Sequence, residues 1–137
     1  MSKIRIEFPY LRKVTKRCEI YTPYVWLEIK TKTGVWRNQK FLFDTGADYT
    51  SFPNFVATVV GIDLKNSPQE IMYTANNEPM VTFYSRIPAR IAGKEFELPC
   101  VFTDKDDTPF LLGRVGFIER FNMTLNAQDG KLVFEEL

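Results

Sequence analysis

Alternating apolar and polar positions indicate that much of the chain forms short β-strands joined by turns. A period of two places one side chain in a core and the next in solvent, and residues 4–10 and Tyr24–Lys30 follow it. Turn-forming residues at 31–34 then lead into an apolar strand at 35–43, which predicts a hairpin. This hairpin places Asp44 at a strand end.

The second half of the chain predicts a longer hairpin. Its strands cover residues 70–73 and 80–84, on either side of a polar tip at 74–79. Four further strands are predicted at residues 87–91, 95–102, 121–125 and 131–134.

Two segments have helical rather than strand character. Residues 53–61 begin with Pro53 and end with Gly61, as short helices do. Residues 115–121 place Val115, Ile118 and Phe121 near one helical face. Many short strands with one or two short helices predict a mainly β, barrel-like fold.

Composition suits one domain spanning residues 1–137. With 45% hydrophobic residues, a chain of 137 residues can bury a core without metal or disulfide staples. The 18 basic and 17 acidic side chains give a net charge of +1, so no nucleic-acid partner is predicted. A basic cluster at residues 12–17 is explained by a solvated strand edge or turn.

Targeting and redox signals are weak. No run approaches the ~20 apolar residues of a membrane span, and charges interrupt every apolar run near the N-terminus. Cys18 and Cys100 lie far apart and are expected to be reduced thiols. We therefore expect a cytoplasmic protein without a membrane span, or a fragment of a larger one.

The chain contains no histidine, which removes much of the catalytic repertoire. Ser-His-Asp and Cys-His arrangements cannot form, and imidazole ligands for zinc are absent. Carboxylates, hydroxyls, lysines or thiols must carry any chemistry.

Asp44 is the leading candidate, because the apolar stretch Phe41 to Phe43 runs directly into Asp44, Thr45 and Gly46. A carboxylate at the edge of a core has a tunable proton affinity and a fixed orientation. Thr45 offers a hydroxyl for hydrogen bonding, and Gly46 allows close approach to the backbone.

Three ordered motifs resemble the retropepsins, single-domain aspartic proteases of the retroviral type. Residues 43–48 resemble the catalytic loop, with the hydroxyl residue Thr50 after it, and residues 84–94 resemble the strand and turn after the flap. Residues 110–114 resemble the second signature, two apolar residues and Gly-Arg. The resemblance implies an all-β acid-protease barrel and an endopeptidase that acts on polypeptides without a cofactor or metal.

The resemblance also implies roles for individual residues. Asp44, Thr45 and Gly46 form the catalytic motif, and Asp48 pairs with Arg114 beside Gly113. The expected substrate-binding residues are Ala47, Asp48, Tyr49, Tyr73, Thr74, Ala75, Asn76 and Leu111. Three features depart from the family: the hairpin tip lacks glycine, Tyr49 is a bulky phenol, and the segment beyond Asn126 is longer than in the retroviral enzymes.

Carboxylate-based peptide hydrolysis needs two carboxyl groups, one as base and one as acid. The other Asp-Gly pair, Asp129-Gly130, lies in a turn without the hydroxyl residue or the apolar approach. A second copy of the chain is therefore expected to supply a second Asp44, so that activity requires a homodimer.

Three alternatives remain open at the level of sequence. A non-catalytic peptide-binding or dimerisation module could keep the same fold. Calcium could bind Asp104, Asp106 and Asp107, although Pro109 and Val115 occupy the expected glycine and glutamate positions. A cysteine-based enzyme is disfavoured, since no histidine can act as its base.

Overall fold

A computed structural model describes residues 3–137, and most of them lie in strands. The strands are β1 (Arg5–Pro9), β2 (Leu11–Val14), β3 (Glu19–Thr22), β4 (Tyr24–Lys30), β5 (Trp36–Phe43), β6 (Thr50–Phe52), β7 (Gln69–Tyr73), β8 (Pro79–Ile91), β9 (Lys94–Thr103), β10 (Leu111–Leu112), β11 (Phe121–Asn126) and β12 (Lys131–Glu136). One short helix, α1, covers Val56–Val60, and single 3₁₀ turns cover Leu64–Asn66 and Ile118–Arg120.

Six strands close into a barrel, which confirms the predicted all-β barrel fold. Their order is β4-β5-β10-β6-β9-β8, and β8 pairs with β4 to complete the ring. Most pairs are antiparallel, but β10 runs parallel to β5 and β6 runs parallel to β9. The parallel pair β5–β10 brings the two sequence signatures side by side.

Alternation along β4 shows why these residues form a barrel wall. Val25, Leu27 and Ile29 are buried, whereas Trp26 between them is 45% exposed. Tyr24–Lys30 was predicted as a strand with these same bounds, and the structure confirms it. Period-two burial drives the strand to pair with one face inward.

Aromatic rings fill the space between the barrel and a separate terminal sheet of order β1-β12-β11. The Phe134 ring of β12 packs edge-on against Phe43 of the barrel, with centroids 5.5 Å apart, and against Phe117 at 5.1 Å. Such edge-to-face pairs add to the stability that apolar burial provides. The terminal sheet thereby anchors the strand that precedes Asp44.

The predicted central hairpin is present, but its second strand is longer than predicted. Residues 80–84 and 87–91 form one continuous strand, β8, rather than two. Ser85 and Arg86 pair with Cys100 and Pro99 of β9, so the ladder continues through the predicted break.

The predicted helix at residues 115–121 was wrong. Only Ile118–Arg120 forms a 3₁₀ turn, and Phe121 instead begins β11 by pairing with Glu136. The Val115 N–H donates to the Asp48 carbonyl oxygen at 2.8 Å, which holds this segment against the Asp44 loop. Val115 and Ile118 are 40% and 38% exposed, and of the three predicted apolar positions only Phe121 lies in the core.

Two further elements were missed by the sequence patterns. The β2–β3 hairpin contains the basic cluster, and its Arg12 forms an ion pair with Glu19. The three-residue strand β6 lies between the Asp44 loop and Pro53.

The predicted helix at 53–61 is confirmed but shorter, as α1, and Gly61 ends it with a φ of 78°. No helix within residues 3–137 is long and apolar enough to cross a membrane.

Candidate active site

Asp44 directly follows β5, and neighbouring segments fix its backbone. Its N–H donates to the Leu112 carbonyl oxygen at 3.0 Å, and the Phe43 N–H donates to the Pro23 carbonyl oxygen at 3.1 Å. Phe43 is buried and Asp44 is half-buried. The carboxylate therefore emerges from a rigid core at its boundary with solvent.

Backbone groups of the same loop orient the Asp44 carboxylate. The Asp44 Oδ1 accepts a hydrogen bond from the Gly46 N–H at 2.9 Å. The backbone carbonyl oxygen of Asp44 accepts another from the Ala47 N–H at 3.2 Å. A Cβ on Gly46 would lie 3.3 Å from Oδ1, tighter than most contacts. Thr45 is exposed, and its hydroxyl has no hydrogen-bond partner among the described residues.

The two sequence signatures meet through backbone and side-chain contacts. Leu111 and Leu112 pair with Leu42 and Phe43 in parallel register. The Arg114 N–H donates to the Ala47 carbonyl oxygen at 3.0 Å. The structure brings the Arg114 guanidinium into an ion pair with the Asp48 carboxylate.

Gly113 allows this close approach because no side chain fits at its position. A Cβ there would lie 2.7 Å from the Thr50 nitrogen and closer still to the Tyr49 carbonyl carbon. The Gly113 N–H also donates to the buried Thr50 Oγ1 at 3.1 Å. Substitution of Gly113 must therefore push the second signature away from the Asp44 loop.

A cleft of about 450 Å³ lies beside the loop, between it and the β7–β8 hairpin. Of the predicted substrate-binding residues, five line it: Ala47, Asp48, Tyr49, Tyr73 and Leu111. The Tyr49 ring packs edge-on against Tyr84, with centroids 5.7 Å apart, which fixes the phenol in the cleft wall. A cavity of this size can hold several side chains of a peptide.

The other three predicted substrate-binding residues lie outside this cleft. Thr74, Ala75 and Asn76 are exposed at the tip of the β7–β8 hairpin. The Thr74 N–H donates to the Glu78 carbonyl oxygen at 2.9 Å, and Asn77 adopts a φ of 61°. Asparagine tolerates this left-handed conformation, so the tip closes without glycine.

Sequence reasoning missed several residues that line the cleft. They are Ser51, Glu70, Met72, Met80, Thr82, Val101 and Thr103. Alternation within β7 and β8 separates each strand into two faces, but only the pairing register shows which positions of the two strands share a face. That register was not deduced from the sequence.

The structure also places the residues that the sequence suggested for calcium binding and for cysteine chemistry. Asp106 Oδ1 accepts a hydrogen bond from the Phe55 N–H at 2.9 Å. Within residues 3–137 no cluster of three or more His, Cys, Asp or Glu side chains could hold a metal ion. Burial raises the pKa of the Cys100 thiol to about 12, which suppresses the nucleophilic thiolate, whereas Cys18 is exposed.

Known structures resemble this one over most of its length. A retropepsin-like aspartic protease from Rickettsia conorii superposes with a TM-score of 0.62 at 22% sequence identity, covering 99% of this chain and 95% of that one. The EIAV protease complexed with the inhibitor HBY-793 gives a TM-score of 0.49 at 17% identity, covering 68% of this chain and 82% of that one. No family model and no curated protein sequence matches the chain.

The barrel, the junction of the two signatures and the Rickettsia structure agree with one another. The chain has the fold of the retropepsin-like aspartic proteases.

Proposed function

We propose that the protein is an aspartic endopeptidase whose active site contains Asp44 from each of two subunits. The placement of Asp44 supports this function. Its backbone is hydrogen-bonded to Leu112, its Oδ1 is held by the Gly46 N–H, and the open cleft begins at Ala47. A pre-oriented carboxylate beside a peptide-sized cleft suits acid–base hydrolysis.

The chemistry requires a second carboxyl group, and the described residues 3–137 offer no second equivalent position. Asp129 lies in the β11–β12 turn, where its N–H donates to Asn126 Oδ1 at 3.0 Å and its Oδ2 accepts from Asn126 Nδ2. That carboxylate completes a local turn rather than an active site. A second copy of the chain, related by a two-fold axis, supplies the missing Asp44.

The two carboxyl groups would share one proton, because like charges about 3 Å apart are costly. The ionised carboxylate takes a proton from water as the water oxygen attacks the peptide carbonyl carbon. The protonated partner donates its proton to the carbonyl oxygen. The intermediate then collapses and the C–N bond breaks: the leaving amine receives the proton that the first carboxylate took from water, and a hydroxyl proton of the intermediate returns to the partner carboxylate.

Neighbouring residues position these groups in the proposed enzyme. The Thr45 hydroxyl, without a partner in the described chain, hydrogen-bonds across the axis to the second loop. Asp48, held by Arg114, binds substrate backbone, and Leu111 and Ala47 form subsite walls. Tyr73 to Asn76 cover the substrate from the hairpin.

An exposed apolar surface next to the loop supports dimerisation through this region. Val115 directly follows Arg114 and Ile118 lies three residues further on, and both residues are more than a third exposed. The Val115 N–H is bonded to the Asp48 carbonyl oxygen, so this surface is continuous with the proposed active site. Covering it with a second copy would remove apolar area from water where the dyad must form.

The proposed activity is tested by incubating purified protein with an unstructured polypeptide from about pH 3 to pH 8, a range that spans perturbed carboxylates. Cleavage that stops with a pepstatin-type inhibitor and with Asp44→Asn is expected. A concentrated dimer that cleaves nothing across this range would instead favour a peptide-binding or dimerisation module.

The proposed dimer surface has its own test. Val115→Asp and Ile118→Asp are expected to yield monomers that lack activity, because each buries a charge in the interface. Val35→Asp is a matched control, since Val35 is 60% exposed and directly precedes β5, at the opposite end of that strand from Asp44 and roughly 30 Å away at ~3.3 Å per residue. A fully active dimer of Val115→Asp would refute this surface.

A further inference from the structure

The base of the β7–β8 hairpin presents a defined inner face to the cleft. Glu70 pairs with Thr82 across the hairpin and Met72 pairs with Met80, and all four residues line the cleft. Ile71, the intervening residue of β7, is 59% exposed on the opposite face. Since side chains alternate along a strand, the Glu70 side chain points toward the cleft.

A hydrogen bond holds Glu70 in this register. The buried Thr82 Oγ1 donates to the Glu70 carbonyl oxygen at 2.8 Å. This bond supplements the strand pairing at the position from which the Glu70 side chain leaves the backbone.

Glu70 brings an uncompensated negative charge to the cleft. No lysine or arginine lines the cleft, and the other carboxylate there, that of Asp48, is already paired with Arg114. Within residues 3–137 the Glu70 carboxylate forms no ion pair and accepts no side-chain hydrogen bond. A bound ligand that carries a positive charge here gains an ion pair without losing an existing one.

The remaining walls are suited to a long aliphatic chain. Met72 and Met80 lie beside Glu70 on the inner face, and Val101 and Leu111 line the cleft with them. Methionine side chains adapt to unbranched hydrocarbon. Lysine and arginine combine such a stem with a cation at its end.

We propose that Glu70 is a specificity residue, and that it selects a substrate with lysine or arginine in the subsite at the hairpin base. The aliphatic stem packs on Met72 and Met80, and the cation pairs with the Glu70 carboxylate. This inference rests on the proposed peptidase function, because it requires a peptide in the cleft.

The test uses peptide pairs that differ by a single ammonium group. A sequence cleaved by the protein is found from digests of denatured casein, and each flanking position is then occupied by lysine or by norleucine. At one position the wild type is expected to cleave the lysine peptide about three- to fivefold faster in kcat/KM, because solvent weakens an ion pair with the exposed Glu70 carboxylate. High salt narrows this ratio, since the cleft is open to solvent.

Variants assign the preference to Glu70. Glu70→Gln is expected to bring the lysine-to-norleucine ratio close to one, and Glu70→Lys to favour glutamate over glutamine at that position. The control Glu95→Gln removes an exposed carboxylate of β9 that lies outside the cleft lining and is expected to leave the ratio unchanged. An identical ratio in wild type and Glu70→Gln overturns the inference.

A binding measurement separates failure of this inference from failure of the enzyme proposal. Fluorescence polarisation reports the affinity of Asp44→Asn protein for the lysine and norleucine peptides. If the protein cleaves no casein sequence, the peptide pairs are built on uncleaved casein sequences instead. Tighter binding of the lysine peptide that disappears in Asp44→Asn/Glu70→Gln supports the subsite even without proteolysis. Equal affinity for the two peptides, or no binding of either, overturns it.

Discussion

The buried hydrogen bond between Gly113 and Thr50 offers a direct test of how the two signatures are joined. Thr50 is fully buried and its Oγ1 accepts the Gly113 N–H at 3.1 Å. Thr50→Val keeps the shape of the side chain but removes the acceptor. The Gly113 N–H then has no partner in a buried, crowded site.

An unsatisfied buried N–H costs about 1–3 kcal/mol, so we expect Thr50→Val to lower the free energy of unfolding by about 2 kcal/mol. For a chain of this length, that corresponds to a fall of about 6–10 °C in Tm. The rate at which the protein cleaves peptides is also expected to fall, because this bond ties the Leu111–Leu112 strand to the segment that follows the Asp44 loop.

The assay is chemical denaturation at fixed protein concentration, since dimerisation makes stability depend on concentration. Thr50→Ser is the control: it keeps the acceptor and loses one methyl group, worth about 1 kcal/mol. Hydrogen exchange of the Gly113 amide reports the bond itself. If the free energy of unfolding of Thr50→Val lies within ~0.5 kcal/mol of wild type and the Gly113 amide is still protected, the Thr50 hydroxyl does not join the two signatures.

Three other outcomes are expected. Asp44→Asn should reduce cleavage by about a thousandfold while leaving Tm nearly unchanged, because an asparagine oxygen can still accept the Gly46 N–H; substantial residual cleavage would point to another catalytic group. The Lys94 ammonium holds the pKa of Glu136 below its ordinary value of 4.5, so the stability it contributes is present above about pH 4.5 and is lost as the pH falls through the lower folded value. Urea denaturation at pH 7 and about pH 3 should therefore show a smaller acid loss for Glu136→Gln than for wild type, and equal losses would contradict the assignment. Titration with a thiol reagent should detect Cys18 alone in the native protein and Cys100 as well after unfolding; two reactive thiols in the native state would contradict the burial of Cys100.

Strands with one buried face were the most predictable elements. Tyr24–Lys30 alternates between buried residues and residues that are half-buried or exposed, and its bounds follow from that pattern. The hairpin tip was also predictable, since Asn77 supplies the left-handed residue that glycine would otherwise provide. In these segments local preference and tertiary packing agree.

Prediction failed where tertiary contacts overrode local preference. The segment 115–121 has helical spacing, yet Val115 is bonded to Asp48 and Phe121 is paired in β11. The short strand β6 owes its existence to β9 and β10 on either side rather than to its own three residues.

The candidate site was only partly predictable for a related reason. Asp48 and Arg114 were named from motifs, and the structure brings them together. Glu70 belongs to no motif, and its place in the cleft depends on its pairing with Thr82 across the hairpin. Residues brought to a site by register alone carry no local signal.

In the proposed enzyme, Asp44 acts only as one half of a dyad shared by two subunits. Wild-type protein refolded with roughly a nine-to-one excess of Asp44→Asn protein would place most wild-type subunits in mixed dimers. Activity per wild-type subunit is predicted to fall to about one tenth of that in wild-type protein refolded with the same excess of an inert protein. Undiminished activity per wild-type subunit would show that one Asp44 suffices and would rule out the shared dyad.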